Sequence, residues 1–272
     1  AIELHPVNSG ALYARGIVHF RMGQYERSIV DFSLSLEYDP GFTNALQWRG
    51  RVYLKTEQFE KAIEDFSAIV RQDEADFMTY YGRGLASMKL GQLEGAVKDF
   101  DRAIRMNRKH APSYNVRGLA QYVLGDYDQA IYDFTQAIKL RYNSPEVFYN
   151  RGRALYMQGL PELALDDFQE AIRIRPSHTL AYLFLVHTRI VTGKAGNDEE
   201  IIALKRSVGL DAHPEHNTVL LKVSEQYLER NNAREACRWA EEARNVLPPK
   251  VAGEIHNREI RETVQIACKT EP

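Results

Sequence analysis

The chain has 272 residues, 44% of them hydrophobic and 26% charged, with a net charge of -2. That balance belongs to an ordinary globular protein, and it provides no overall basic field to recruit nucleic acid. No apolar run is long enough to span a bilayer, and "AIELHPVNSG" lacks the charged-then-apolar order of a secretory leader, although a chain that starts at Ala1 reads as processed or cut from something longer.

After a lead-in over residues 1–8, five regular units occupy residues 9–178. Arg-Gly pairs place glycines at 16, 50, 84, 118 and 152, each step being 34 residues. Ser28, Ala62, Ala96, Ala130 and Ala164 keep the same step, as do Phe32, Phe66, Phe100, Phe134 and Phe168. A turn glycine recurs at Gly23, Gly91, Gly125 and Gly159, with Glu57 in its place in the second unit, while Pro40 and Pro176 close the first and fifth. A fixed period of this length predicts stacked helix-turn-helix units. Small residues let two helices approach, the phenylalanine fills the groove beside them, and each pair must bury its apolar face against its neighbours.

Sixteen residues after each arginine stands an aspartate: Asp31 after Arg15, Asp65 after Arg49, Asp99 after Arg83, Asp133 after Arg117 and Asp167 after Arg151. The arginine falls on the first helix of its unit and the aspartate on the second, so antiparallel packing lets them meet. Such a row could be a ladder for phosphate or carboxylate ligands. A matched acid in every unit favours a repeated interhelical ion pair that fixes register.

Residues 179–216 read as an irregular sixth unit with a short insertion near "TGKAGN", its second helix starting after Asn197 as N-cap. Leu185 takes the arginine position there. Residues 217–248 form a seventh unit through Leu220, Ser224, Tyr227, Ala236, Ala240, Ala243 and Pro248, with Val223 and Trp239 replacing the arginine and the aspartate. Residues 249–272 predict a capping helix and tail, with Val251, Ile255, Ile260 and Val264 on its covered side. Counting back from a turn near Pro249 sets Cys237 opposite Arg261 and Cys268 ~10 Å further along. Free thiols are therefore expected, a single disulfide being the alternative.

The pattern resembles the tetratricopeptide repeat family, from Ser9 to about Pro248. The resemblance implies an all-α, right-handed α-α superhelix of about seven repeats plus the C-terminal cap. It also implies a concave surface of first helices on which a protein or peptide segment docks. The positions expected there are Tyr13, Gln47, Arg51, Lys55, Tyr81, Lys89, Asn115, Tyr122, Tyr149, Arg153 and Tyr156. Arg21, Arg51, Lys55, Lys89 and Arg153 are basic in these frames and Glu146 alone is acidic, which suits an acidic or carboxylate-bearing partner. A family subtype clamps acidic chaperone tails with lysine, asparagine and arginine. Its frames here hold Tyr13 and Ile17, then Trp48, then Met78 and Gly82, so that set is missing.

No phosphate loop, cysteine-histidine dyad or paired catalytic carboxylates stand out, and His213 and His216 in "HPEH" make a weak metal motif. The expected function is a non-catalytic interaction scaffold without cofactor or metal. The alternative is a regulatory or targeting module excised from a larger protein. The sequence leaves the location open, favouring a cytoplasmic one over a secreted or periplasmic one. Nothing in the sequence addresses oligomeric state.

Overall fold

Polar breaks between amphipathic stretches become helix ends. A computed structural model describes residues 8–192, 224, 233–246, 265–266 and 268–269, and it holds twelve helices and no strand among them. Two compact units part between Tyr142 and Asn143. The first contains α1 (Ser9–Arg21), α2 (Tyr25–Tyr38), α3 (Thr43–Lys55), α4 (Phe59–Arg71), α5 (Phe77–Lys89), α6 (Leu93–Met106), α7 (Ala111–Leu124) and α8 (Tyr127–Lys139). The second contains α9 (Pro145–Met157), α10 (Pro161–Ile174), α11 (Thr179–Val191) and α12 (Ala233–Val246).

Several first helices start on side chains that satisfy their orphan N–H groups. Asn8 accepts from the Ala11 amide at 2.9 Å, Asp76 from Thr79 at 2.8 Å, and Ser144 from Glu146 at 3.3 Å just before Pro145. Turns between paired helices use left-handed residues: Gly91 at φ 75° and, where glycine is missing, Glu57 at φ 58°. Within the first unit each helix packs on the next, α1 on α2 through α7 on α8; in the second, α9 packs on α10 and α10 on α11.

Phe32, Phe66, Phe100, Phe134 and Phe168 are all buried, as are Ala62, Ala96, Ala130 and Ala164. Phe66 shows why small residues face it. Its ring lies between Gly50 and Gly82, where an added Cβ would come within 2.9 and 2.5 Å of ring carbons. Those contacts leave no room for a methyl. Ser28, at the alanine position, donates its hydroxyl to the Gly16 carbonyl at 2.8 Å, so the polar atom is satisfied inside the core.

Leu185 is 3% exposed where the regular units carry arginine, and Trp239 is 2% exposed where they carry aspartate. Both ion-pair positions thus turn apolar and stay inside. Ser224 donates to the Ala236 carbonyl at 2.7 Å, joining the two stretches assigned to the seventh unit. The sixth unit's second helix after Asn197 and the capping positions Val251, Ile255, Ile260 and Val264 lie outside the described residues.

The cysteine expectation is corrected. Cys237 and Cys268 form a disulfide with Cα atoms 4.6 Å apart. Helical rise fixes distances along one helix but not the register between two helices, so counting residues from Pro249 could not place Cys268 against Cys237.

Candidate interaction surface

The arginines are accounted for first, because they are the most regular charged feature. Each forms a two-pronged pair with its aspartate. Arg49 Nε and Nη2 reach Asp65 at 2.9 and 2.7 Å, and Arg117 reaches Asp133 at 2.7 and 2.6 Å. Arg15, Arg83 and Arg151 repeat this with Asp31, Asp99 and Asp167. The sequence spacing of +16 gave this contact, but a second one at -16 went unrecognised. Nη1 of Arg49 donates to Ser33 at 3.0 Å, that of Arg83 to Ser67 at 3.3 Å, and that of Arg117 to Asp101 at 2.5 Å. An arginine of one repeat therefore grips both its own and the preceding repeat. Burial works against the Arg117 charge, yet the Asp133 hydrogen bonds and attraction, with Asp101, hold its pKa above the ordinary value. Burial likewise pushes Asp133 above the usual carboxylate range while Arg117 pulls it back. These groups face each other and are unavailable to a ligand.

A cavity of about 350 Å³ lies in the first unit, between the first helices α1, α3 and α5 with α4 at one side. Phe20, Leu54, Phe59, Met78, Tyr81 and Leu85 form its apolar wall, with Gly82 among them, and Arg51, Lys55 and Lys89 surround it. No carboxylate is among the described residues that line it. The Arg51 guanidinium stacks over Trp48 at 4.3 Å, and Trp48 meets Phe20 edge-on at 5.3 Å. Stacking holds the charge at the rim without neutralising it. Tyr81 is half-buried, and His110 packs against it edge-on at 5.0 Å. Burial, with Tyr142 nearby, raises the Tyr81 pKa, so its phenol stays protonated at neutral pH as a hydrogen-bond donor.

Of the expected positions, Arg51, Lys55, Tyr81 and Lys89 come together at this cavity. Others do different work. Tyr13 packs on Phe32 and Phe42, with centroids 6.0 and 5.1 Å away. Gln47 hydrogen-bonds Asp76 and Thr79 at the start of α5. Tyr122 packs on Tyr127 at 5.6 Å, and Asn115 is half-buried on α7. In the second unit Tyr149 is 5% exposed among Phe168, His178 and Phe184, so it backs the surface instead of presenting contact area. Arg153 lies over the Tyr149 and Phe184 rings, and Tyr156 packs on His187 at 5.3 Å.

Phe20, Leu54, Met78 and Leu85 occupy the same periodic frames as the expected positions, but apolar side chains there read equally as core. Phe59 opens a second helix, outside those frames. Cys237, Glu241 and Cys268 hold possible ligand atoms within 4.8 Å of one another, but the disulfide consumes both thiols.

Family comparison agrees with this architecture. Tetratricopeptide repeat models match residues 48–111 and 115–179, and a further one matches residues 9–42. No curated protein matches in sequence. Among solved structures, YrrB, described as a tetratricopeptide repeat protein with an unusual peptide-binding site, is 24% identical; the match covers 66% of this chain and 93% of YrrB, with a TM-score of 0.60. MamA is 24% identical over 61% of this chain and 90% of its own, with a TM-score of 0.57. A repeat protein from Parabacteroides merdae is 15% identical over 95% of this chain and 98% of its own, with a TM-score of 0.64. At these identities the likeness is one of fold. The chain belongs to the tetratricopeptide repeat family.

Proposed function

We propose that the protein is an interaction scaffold whose first unit holds an acidic partner segment by one apolar anchor side chain. The family's repeats serve as protein-interaction scaffolds, and the peptide-binding site ascribed to YrrB makes a peptide ligand a reasonable occupant here. The observation that carries the reading is the cavity itself: an apolar wall of Phe20, Leu54, Phe59, Met78 and Leu85, three cations around it and no lining acid. A volume of about 350 Å³ admits a leucine, phenylalanine or tryptophan side chain, but not a folded domain. The anchor supplies affinity by desolvation, while Arg51, Lys55 and Lys89 steer flanking carboxylates and set register.

An array of 15-residue peptides tests this, each bearing one Phe, Leu or Trp among either acidic or basic residues. Acidic peptides with an anchor should bind best, and acidic peptides without one should bind weakly. Arg51→Glu with Lys89→Glu should weaken binding about tenfold and flatten its salt dependence. Leu85→Trp should weaken it at every salt concentration by filling the space. Unchanged affinity in both variants would remove the cavity as the binding surface.

A further inference from the structure

We infer that the outer face of α1 is a docking surface for a helix supplied by polypeptide upstream of Ala1, namely the second helix of one more repeat. Val18 on that face is 54% exposed, whereas its counterparts at 34-residue steps, Val52, Ala86 and Ala120, are fully buried. What distinguishes those three is that α3, α5 and α7 each pack on the preceding repeat's second helix, α2, α4 and α6. At Val18 the chain thus presents a position that every later repeat of this unit covers.

The ladder shows the same missing neighbour. Arg49, Arg83 and Arg117 each spend Nη1 on a residue 16 positions earlier. Among the described residues Arg15 has its Asp31 pair and no contact of that second kind. Its side chain is 45% exposed, against 20%, 22% and 14% for the other three. Beside it, Arg15, His19, Val30 and Asp31 line an open hollow of about 390 Å³.

The first residues of the chain name the occupant. "AIELHP", Ala1–Pro6, reproduces the alanine, isoleucine and proline of "AIRIRP", Ala171–Pro176, which ends α10 and the turn after it. Ala103-Ile104 in α6 and Ala137-Ile138 in α8 stand in the same register. The sequence of a second-helix ending therefore stands one period ahead of Ser35–Pro40. The alternative occupant, the same face of a second copy, would set Arg15 near its symmetry mate and gains nothing for the open guanidinium.

The encoded sequence before Ala1 should then carry the matching residues. An Asp-Phe pair should stand four and three residues before Ala1, and a serine, threonine or aspartate two before it, where Ser33, Ser67 and Asp101 stand in their repeats. The test compares the protein expressed from its own initiator with residues 1–272, each carrying Val18→Cys. Iodoacetamide labelling is followed without reductant, so that the disulfide stays closed, and circular dichroism checks folding. Labelling of the Val18→Cys variant should be at least about tenfold slower in the longer protein, as expected for a site that reacts only on local opening. Changing the residue two before Ala1 to lysine should restore part of the rate. Equal rates, an upstream sequence without the Asp-Phe pattern, or concentration-dependent protection within residues 1–272 that marks a second copy would each overturn the inference.

Discussion

Arg117 carries the heaviest load of the ladder, because its guanidinium meets Asp133 in its own repeat and Asp101 in the preceding one. Arg117→Leu should lower stability by about 3 kcal/mol, since Asp133 is left buried without its partner. Adding Asp133→Leu should recover much of that loss, a non-additivity that a double-mutant cycle in urea reads directly. The single variant should also depend on pH with a definite sign. Burial already raises Asp133, and removing the arginine raises it further. A carboxyl whose folded pKa exceeds its unfolded value favours folding at low pH and loses that contribution as pH rises through the folded value. The deficit of Arg117→Leu should therefore shrink between pH 7 and pH 4. A second residue-scale prediction concerns Glu57, held at φ 58° where the other turns of this kind have glycine. Glu57→Gly should raise stability by about 0.5–1 kcal/mol by relieving the left-handed strain, checked by the denaturant midpoint. The Arg-Asp pairs were legible because both partners recur in every regular unit. The contact to the preceding repeat was harder to see because its acceptor varies among Ser33, Ser67 and Asp101.

At the scale of elements, the first-helix and second-helix positions followed from period alone, since small residues and phenylalanines repeat without an insertion through residue 178. Exposure did not follow. Tyr149 and Tyr81 occupy equivalent frames and each meets a histidine, His178 or His110, yet Phe184 encloses the first while the second borders the cavity. Only the neighbouring side chain decides between those outcomes, and it lies roughly one repeat away in sequence. The cysteines failed for a related reason: periodicity specifies helix faces but not the length of an irregular connection. Their pairing gives a third prediction. The intact protein should weigh two hydrogens less than its reduced form. Cys268→Ser should destabilise the second unit by about 2–4 kcal/mol through the added freedom of the unfolded loop, seen as a lower melting transition.

For the molecule as a whole, the charges that hold repeats together differ from those proposed to meet a partner. Ladder charges pair internally, so they fix register, whereas Arg51, Lys55 and Lys89 stand at the cavity and remain available for steering. Arg51→Glu with Lys89→Glu should accordingly leave helical content and melting nearly unchanged while binding falls, the reverse of Arg117→Leu. Circular dichroism on both variants distinguishes them. Met78 lines the cavity, while Met106 and Met157 are exposed elsewhere and serve as internal references. The most direct measurement is a methyl NMR titration of methionine-labelled protein with the best acidic, anchor-bearing peptide. The account predicts that the Met78 methyl shifts and saturates with the binding curve while Met106 and Met157 stay still. A silent Met78 with shifts at Met106 or Met157 would contradict it and move the binding surface off the cavity.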